Sequence, residues 1–392
     1  HQELVRNLLA EREPDYANLV STSRHRGALV DDLSREQFFI LELLTDNSKI
    51  YVSGGPGTGK SVLALEDAIN LVRSELRVGV VCFNRGLAES LKRAVKDLGE
   101  ESQPVFCGNI LDDLPSYWKL QVPEEPTDVQ RKAHHFGTVV PGLLLKSANQ
   151  LSHYEKLDAW VVDEAQDFDE EHWAVLRASL KDPVDGIIHM FGDTNQNLFR
   201  SAIPEVSGFK INTPWHYAIV RLKHNFRSSQ QIANVLNSFY SIDEEPTGLV
   251  QGVIPQILVV DDGQDVIVES EKLVSELIKD FNWNPGDIAV VTTKRLHPKQ
   301  KVQREADYEA YWNKYFDKQE VFYTNINSFK GLERPMVVVA VDGIPNEADA
   351  KRQIFVAASR ARDDLVIVGK QNDLDHLGHL IGQFETYEFE PN

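Results

Sequence analysis

Residues 54–61 read Gly54-Gly55-Pro56-Gly57-Thr58-Gly59-Lys60-Ser61, a complete G-x-x-x-x-G-K-[ST] phosphate loop. Ahead of it, Lys49-Ile50-Tyr51-Val52 has the makings of a short buried strand, and behind it Val62, Leu63, Leu65, Ile69 and Val72 fall at helical spacing. Strand, glycine loop and helix start therefore come in the order the motif needs. Glycines let backbone N–H groups curl around a phosphate, and a helix N-terminus adds partial positive charge. Residues Gly55 to Ser61 would cradle the phosphates, with the Lys60 ammonium on the β- and γ-phosphates and the Ser61 hydroxyl on Mg²⁺. The stretch predicts a nucleoside triphosphate site.

Outward from this loop the chain alternates strand and helix. Val78–Phe83, Ala159–Val162 and Gly186–Phe191 read as buried strands, with helices at about 37–44, 87–98 and 170–180. Residues 100–155, with prolines at 104, 115, 123, 126 and 141, read as a small insertion carrying one helix near 141–150. After a pause around Pro204–Pro214, a second alternation predicts strands near 218–222, 256–260, 287–292, 320–324, 336–341 and 364–368. Helices are expected near 229–240, 263–281 and 350–360. Strands alternating with helices imply parallel sheets covered on both faces. The expected architecture is α/β: a helical lead-in over 1–30, one lobe over 31–210, and a second over 211–392 without a large insertion.

Val161-Val162-Asp163-Glu164-Ala165-Gln166-Asp167 is the second strong signal. An apolar strand that ends in adjacent carboxylates can complete a phosphate-loop site. Asp163 would hold Mg²⁺. Glu164 would orient and deprotonate an attacking water.

The Asp163–Asp167 stretch resembles motif II of the UvrD/Rep-like superfamily 1 helicases, and the remaining motifs follow in order. Gly192-Asp193-Thr194-Asn195-Gln196 is similar to motif III, and Asn225-Phe226-Arg227-Ser228-Ser229 to motif IV. Lys330-Gly331-Leu332-Glu333 matches the core of motif V, and Val356-Ala357-Ala358-Ser359-Arg360-Ala361 resembles motif VI. Upstream, Leu33-Ser34-Arg35-Glu36-Gln37 resembles the adenine-reading Q motif. The resemblance implies two tandem RecA-like lobes with ATP and Mg²⁺ in the cleft between them, and travel 3′ to 5′ along single-stranded DNA. It implies adenine recognition by Gln37 and base stacking by Phe226. It makes Gln196 a γ-phosphate sensor, has Gly331 and Glu333 bind the nucleotide with Glu333 on the ribose, and makes Arg227 and Arg360 arginine fingers that neutralise transition-state charge. Lys60, Glu164, Gln196, Arg227 and Arg360 are thus the expected catalytic set.

Nucleic-acid contacts are expected at Phe83-Asn84-Arg85, where the family meets single-stranded DNA, although Phe83 reads equally as core. Phe199 and Asn327 stand where the family often has Tyr and His, and Ser201 replaces a stacking Trp. Phe106-Cys107-Gly108-Asn109 does not match the usual contact motif. Compact members of this family are found fused to nuclease-related domains, so a partner protein or an appended nuclease is a further expectation. These departures, with an acidic surface, support an alternative: an NTP-driven switch that gates a partner without unwinding a duplex.

Composition narrows the rest. With 60 Asp and Glu against 41 Lys and Arg, the formal net charge of −19 excludes a surface that attracts nucleic acid everywhere. A local basic run, Lys294 to Arg304, is either a nucleic-acid patch or a solvated loop. Two cysteines, Cys82 in an apolar run and Cys107, are too few for a disulfide framework. No apolar stretch approaches the ~20 residues that span a bilayer. A cytoplasmic protein is expected, and a chain starting at His1 rather than Met fits a piece of a longer one.

Overall fold

The computed structural model describes residues 40–387 apart from 46, 127, 194–215, 223, 224, 226 and 240–250. The expected lead-in over 1–30 and the expected site residues Gln37, Gln196, Phe199 and Phe226 lie outside the described residues.

Two six-stranded sheets organise the chain, and every strand pairing in both is parallel. The first contains β1 (Lys49–Gly54), β2 (Val78–Cys82), β3 (Phe106–Asn109), β4 (Ala159–Val162), β5 (Ile187–Gly192) and β6 (Ala218–Leu222) in the order β3-β2-β4-β5-β1-β6. The second contains β7 (Gln256–Val260), β8 (Ile288–Thr292), β9 (Phe322–Asn325), β10 (Arg334–Val341), β11 (Ala361–Lys370) and β12 (Glu385–Thr386) in the order β12-β7-β11-β10-β8-β9. Wherever the connecting residues are described, helices lie between successive strands, and this is the two-lobed α/β fold expected of tandem RecA-like domains. Strands β2, β4 and β8 are buried along their whole length. That explains their continuous apolar runs, because helices cover both faces of a parallel sheet.

The helices that place the site are α1 (Lys60–Arg73), α2 (Arg85–Lys96), α3 (Val140–Ala148), α4 (Glu170–Ala178), α5 (Gln230–Phe239), α6 (Val266–Lys279), α7 (Pro298–Ala306), α8 (Tyr308–Asp317), α9 (Ile326–Phe329) and α10 (Glu347–Ala358). Helix α2 starts because Asn84 accepts a hydrogen bond from the Leu87 N–H, and Arg93 and Lys96 suit the negative end of its dipole. Behind the phosphate loop, Asp67 of α1 meets His189 of β5 at 2.7 Å, and the other His189 nitrogen faces the Asn47 carbonyl at 2.8 Å. This buried contact pins α1 to the sheet.

Three expectations change. Strand β6 pairs with β1 (Ile50 with Ala218 through Gly54 with Leu222), so it closes the first sheet instead of opening the second. A short alternating strand carries no mark of which sheet it joins. Phe106–Asn109, read as the start of an irregular insertion, is an edge strand on β2; four residues with a glycine give too little periodicity to read. The basic run at Lys294–Arg304 is neither bare loop nor free patch: it leads into α7, Lys294 pairs with Asp342, and Lys299 pairs with Glu271 at 2.9 Å. Cys82 is fully buried, as its apolar run predicts. Among the described residues, no helix is long and apolar enough to cross a membrane.

Candidate nucleotide site and adjoining cleft

The C-terminal edge of the first sheet faces the N-terminal ends of β10 and β11. Strand β5 separates β1 from β4, so the phosphate loop and the carboxylate turn stand two strand spacings apart, about 10 Å. That leaves room for a terminal phosphate and a water between Lys60 and Glu164. Asp193, which follows β5, is 1% exposed and projects into the same interval.

The loop has the geometry its glycines allow. Gly57 and Gly59 have φ of +81° and +83°, the left-handed region that other residues avoid. Helix α1 starts at Gly59 with no side-chain cap and no acid in its first turn, so its N–H groups and positive end face the loop. The Lys60 ammonium donates to the carbonyls of Gly54 at 2.7 Å and Gly55 at 2.8 Å. Burial lowers its pKa, while Asp193, Glu164 and Asp163 pull the other way.

Glu164 is left-handed at φ 53° and ψ 44°, a conformation that costs a non-glycine residue about 1–3 kcal/mol. The turn aims both carboxylates at the loop. Burial works to raise the Glu164 pKa, but Lys330, Arg360 and Lys60 outweigh it and hold the group below the ordinary range. Burial, then its Glu164 neighbour, push Asp163 up, opposed by a hydrogen bond from Ser61. The Asp163 Oδ2 atom is buried without a hydrogen-bond partner. An orphaned carboxylate oxygen beside a serine hydroxyl is a hard-oxygen donor set that fits Mg²⁺ shared with phosphates. Among the described residues, no group of three His, Cys, Asp or Glu forms a self-sufficient metal cage.

The second lobe contributes cations. Arg360 is 3% exposed, and its charge neighbours are Glu164, Arg227, Asp193 and Glu333. Glu333 and Arg360 immediately precede β10 and β11, and the Arg334 N–H donates to the Arg360 carbonyl at 3.0 Å, which fixes the two side by side. Arg227 forms an ion pair with Glu333 and packs against Gly57, where a Cβ would strike Arg227 and Asn225. Lys60, Asp163, Glu164, Arg227, Glu333 and Arg360 therefore share one site. Gly331, at φ +80°, lies against Leu87 of α2, at the lobe seam rather than beside the phosphate loop.

A second cleft of about 670 Å³ adjoins it and is lined by Phe83, Asn84 and Arg85 from the first lobe and by Asn327, Ser328 and Lys330 from the second. Four residues expected at the nucleic-acid contact thus line one groove. Phe83 is half-buried, with its ring 5.3 Å from His172 and 6.3 Å from Phe168, so it is wall and core at once. Asn84 donates across the seam to the Asn327 carbonyl at 2.6 Å. A π-helical turn at His135–Val139 brings Phe136 to this groove, 6.0 Å from the Arg85 guanidinium. Arg85 is held in a two-pronged pair with Asp112 at 2.6 and 2.7 Å, and Lys330 grips both oxygens of Asp167 at 2.6 Å. Asp112, Gln166, Asp167, Asp193 and Lys330 are the residues that motif reading did not assign. Gln166, Asp167, Asp193 and Lys330 lay inside quoted motifs, and the polarity of Gln166, Asp167 and Asp193 just after apolar strands was the available signal.

No curated protein matches the chain. The profile of the UvrD-like helicase C-terminal domain matches residues 320–368, and that of the Schlafen group 3 DNA/RNA helicase domain matches residues 47–330, more than half of the chain. Such domains go with nucleotide-driven, helicase-type function and nucleic-acid binding. With this match over both lobes, the chain belongs to the Schlafen group 3 DNA/RNA helicase-domain family and carries a superfamily 1 helicase-like core.

Proposed function

We propose that the chain hydrolyses Mg-ATP and uses the cycle to move along single-stranded DNA, in the 3′ to 5′ direction that its motifs imply. The observation that carries this reading is the convergence of Lys60 and Glu164 from one lobe with Arg227 and Arg360 from the other. Lys60 would bind the β- and γ-phosphates, and the two arginines would neutralise charge that develops on the transferred group. Glu164 would orient a water and take its proton. Ser61 and Asp163 would hold Mg²⁺, which supplies further charge neutralisation when bound. Because the two arginines come from the second lobe, hydrolysis requires the cleft to be closed, and its closing and opening through the cycle is the mechanical output.

ATP turnover should vanish in Lys60→Ala and Glu164→Gln; full activity in either variant would sink the assignment. Turnover should rise with single-stranded DNA, and parallel assays with duplex DNA and RNA identify the strand the cleft accepts. A switch that gates a partner or a nuclease is the second reading, favoured by the carboxylate pairing of Arg85 and Lys330 in the cleft. Neither stimulation nor binding at low salt, where phosphate contacts are strongest, would select it.

A further inference from the structure

We propose that Gln166 is a positioning residue for turnover and that, with the Asp167–Lys330 ion pair, it ties the Glu164 carboxylate to the adjoining cleft. This rests on the ATPase reading above. Gln166 is 8% exposed. Its amide N–H donates to Glu164 Oε2, and its carbonyl oxygen accepts from the Asp193 N–H at 3.1 Å. A single side chain thus braces the end of β4 against the end of β5. The amide supplies the donor for the carboxylate and the acceptor for the backbone from separate atoms of one side chain. Gly192 leaves the space this bridge occupies, because a Cβ there would sit 2.5 Å from Gln166 Oε1.

The same side chain lines the cleft. The adjacent residue, Asp167, holds Lys330 from the second lobe through both carboxylate oxygens. Residues Ala165–Asp167 form one tight 3₁₀ turn, so Gln166 and Asp167 move as a unit. Lys330 also lines the cleft, with 11% of its side chain exposed. A strand phosphate entering there competes with Asp167 for the ammonium. Any displacement of the pair then reaches Glu164 through one intervening side chain.

The test uses the full chain with Mg-ATP and a single-stranded oligothymidylate at saturation. Gln166→Met keeps the shape and removes both hydrogen bonds. It should lower kcat by about 10–100-fold, with KM for ATP nearly unchanged. A packing role alone predicts Met equal to wild type and Gln166→Ala worse. Asp167→Asn should bring the ratio of stimulated to unstimulated turnover toward one. Wild-type kcat in Gln166→Met, or wild-type stimulation in Asp167→Asn, would overturn the proposal. Wild-type turnover indifferent to the oligonucleotide would overturn its coupling step. If the wild type does not hydrolyse ATP, or Glu164→Gln retains activity, the ATPase reading falls and takes this one with it. If both controls behave and Gln166→Met matches wild type, this inference alone falls.

Discussion

Replacing Gly86 by alanine puts one methyl group into the seam between the lobes. Gly86 is the second residue of α2, and a Cβ there would lie 2.8 Å from the Ser328 carbonyl oxygen, 2.8 Å from the Trp312 ring and 2.9 Å from Leu332 Cδ1. Two effects compete. Alanine favours the helix over glycine by up to about 1 kcal/mol, which benefits the first lobe by itself. Overpacking costs about 1–3 kcal/mol, toward the upper end when a backbone oxygen that cannot rotate aside is one of the obstacles. The seam term therefore wins where the lobes must meet, by about 1–2 kcal/mol, or about 5–30-fold in the population of the docked arrangement. Lys60 sits on one side of this seam and Arg360 on the other, so kcat at saturating Mg-ATP should fall by that factor while heat stability of the first lobe holds or rises. Gly86→Val should be worse. A Gly86→Ala enzyme with kcat within twofold of wild type would refute the link between seam packing and turnover.

Asp112→Asn should tighten binding of single-stranded oligonucleotides, because Arg85 gains a free charge; the slope of log K against log salt should steepen by about one, and an unchanged slope argues against Arg85 as a phosphate ligand. Arg360→Ala should reduce kcat by about 10³-fold, and Arg360→Lys should fail to restore it, since an ammonium lacks the planar fork; substantial rescue by lysine would mean simple charge is enough. Burial pushes His172 from 6.5 down to about 4, and His297 likewise. The folded chain resists a proton that the unfolded chain accepts, so this stability is complete above pH 6.5 and drains as pH falls toward 4. Thermal midpoints should decline through that window, less steeply in His172→Asn; a flat profile there contradicts it.

The parts of the site that are local in sequence were legible from it. The phosphate loop, the carboxylate turn and the arginine-bearing segments each announce themselves within a few residues, and Lys60, Asp163, Glu164, Arg227, Glu333 and Arg360 do lie together. What stayed hidden depends on partners far along the chain. Asp167 and Lys330 are 163 residues apart, and neither is informative until the lobes bring them together. Membership of β6 in the first sheet is likewise decided by its neighbour β1, not by its own alternation. Helix α7 is hidden because a mostly polar, charged segment offers little apolar periodicity, whereas α8 does carry Tyr308, Tyr311, Trp312 and Tyr315 at helical spacing. Phe106–Asn109 reads in sequence as part of an insertion and as a mismatch to a contact motif, yet Asn109 and the following Asp112 line the cleft.

The left-handed backbone at Glu164 has a consequence for heat stability. Glycine adopts that conformation freely, but Glu164→Gly would also strip Lys330, Arg360 and Lys60 of the carboxylate they hold ionised. Alanine loses the same charge and keeps the backbone strain. Glu164→Gly should therefore melt later than Glu164→Ala while neither turns over ATP. The gap between the two midpoints measures what the backbone gives up to hold this turn, and equal midpoints would mean that it gives up nothing.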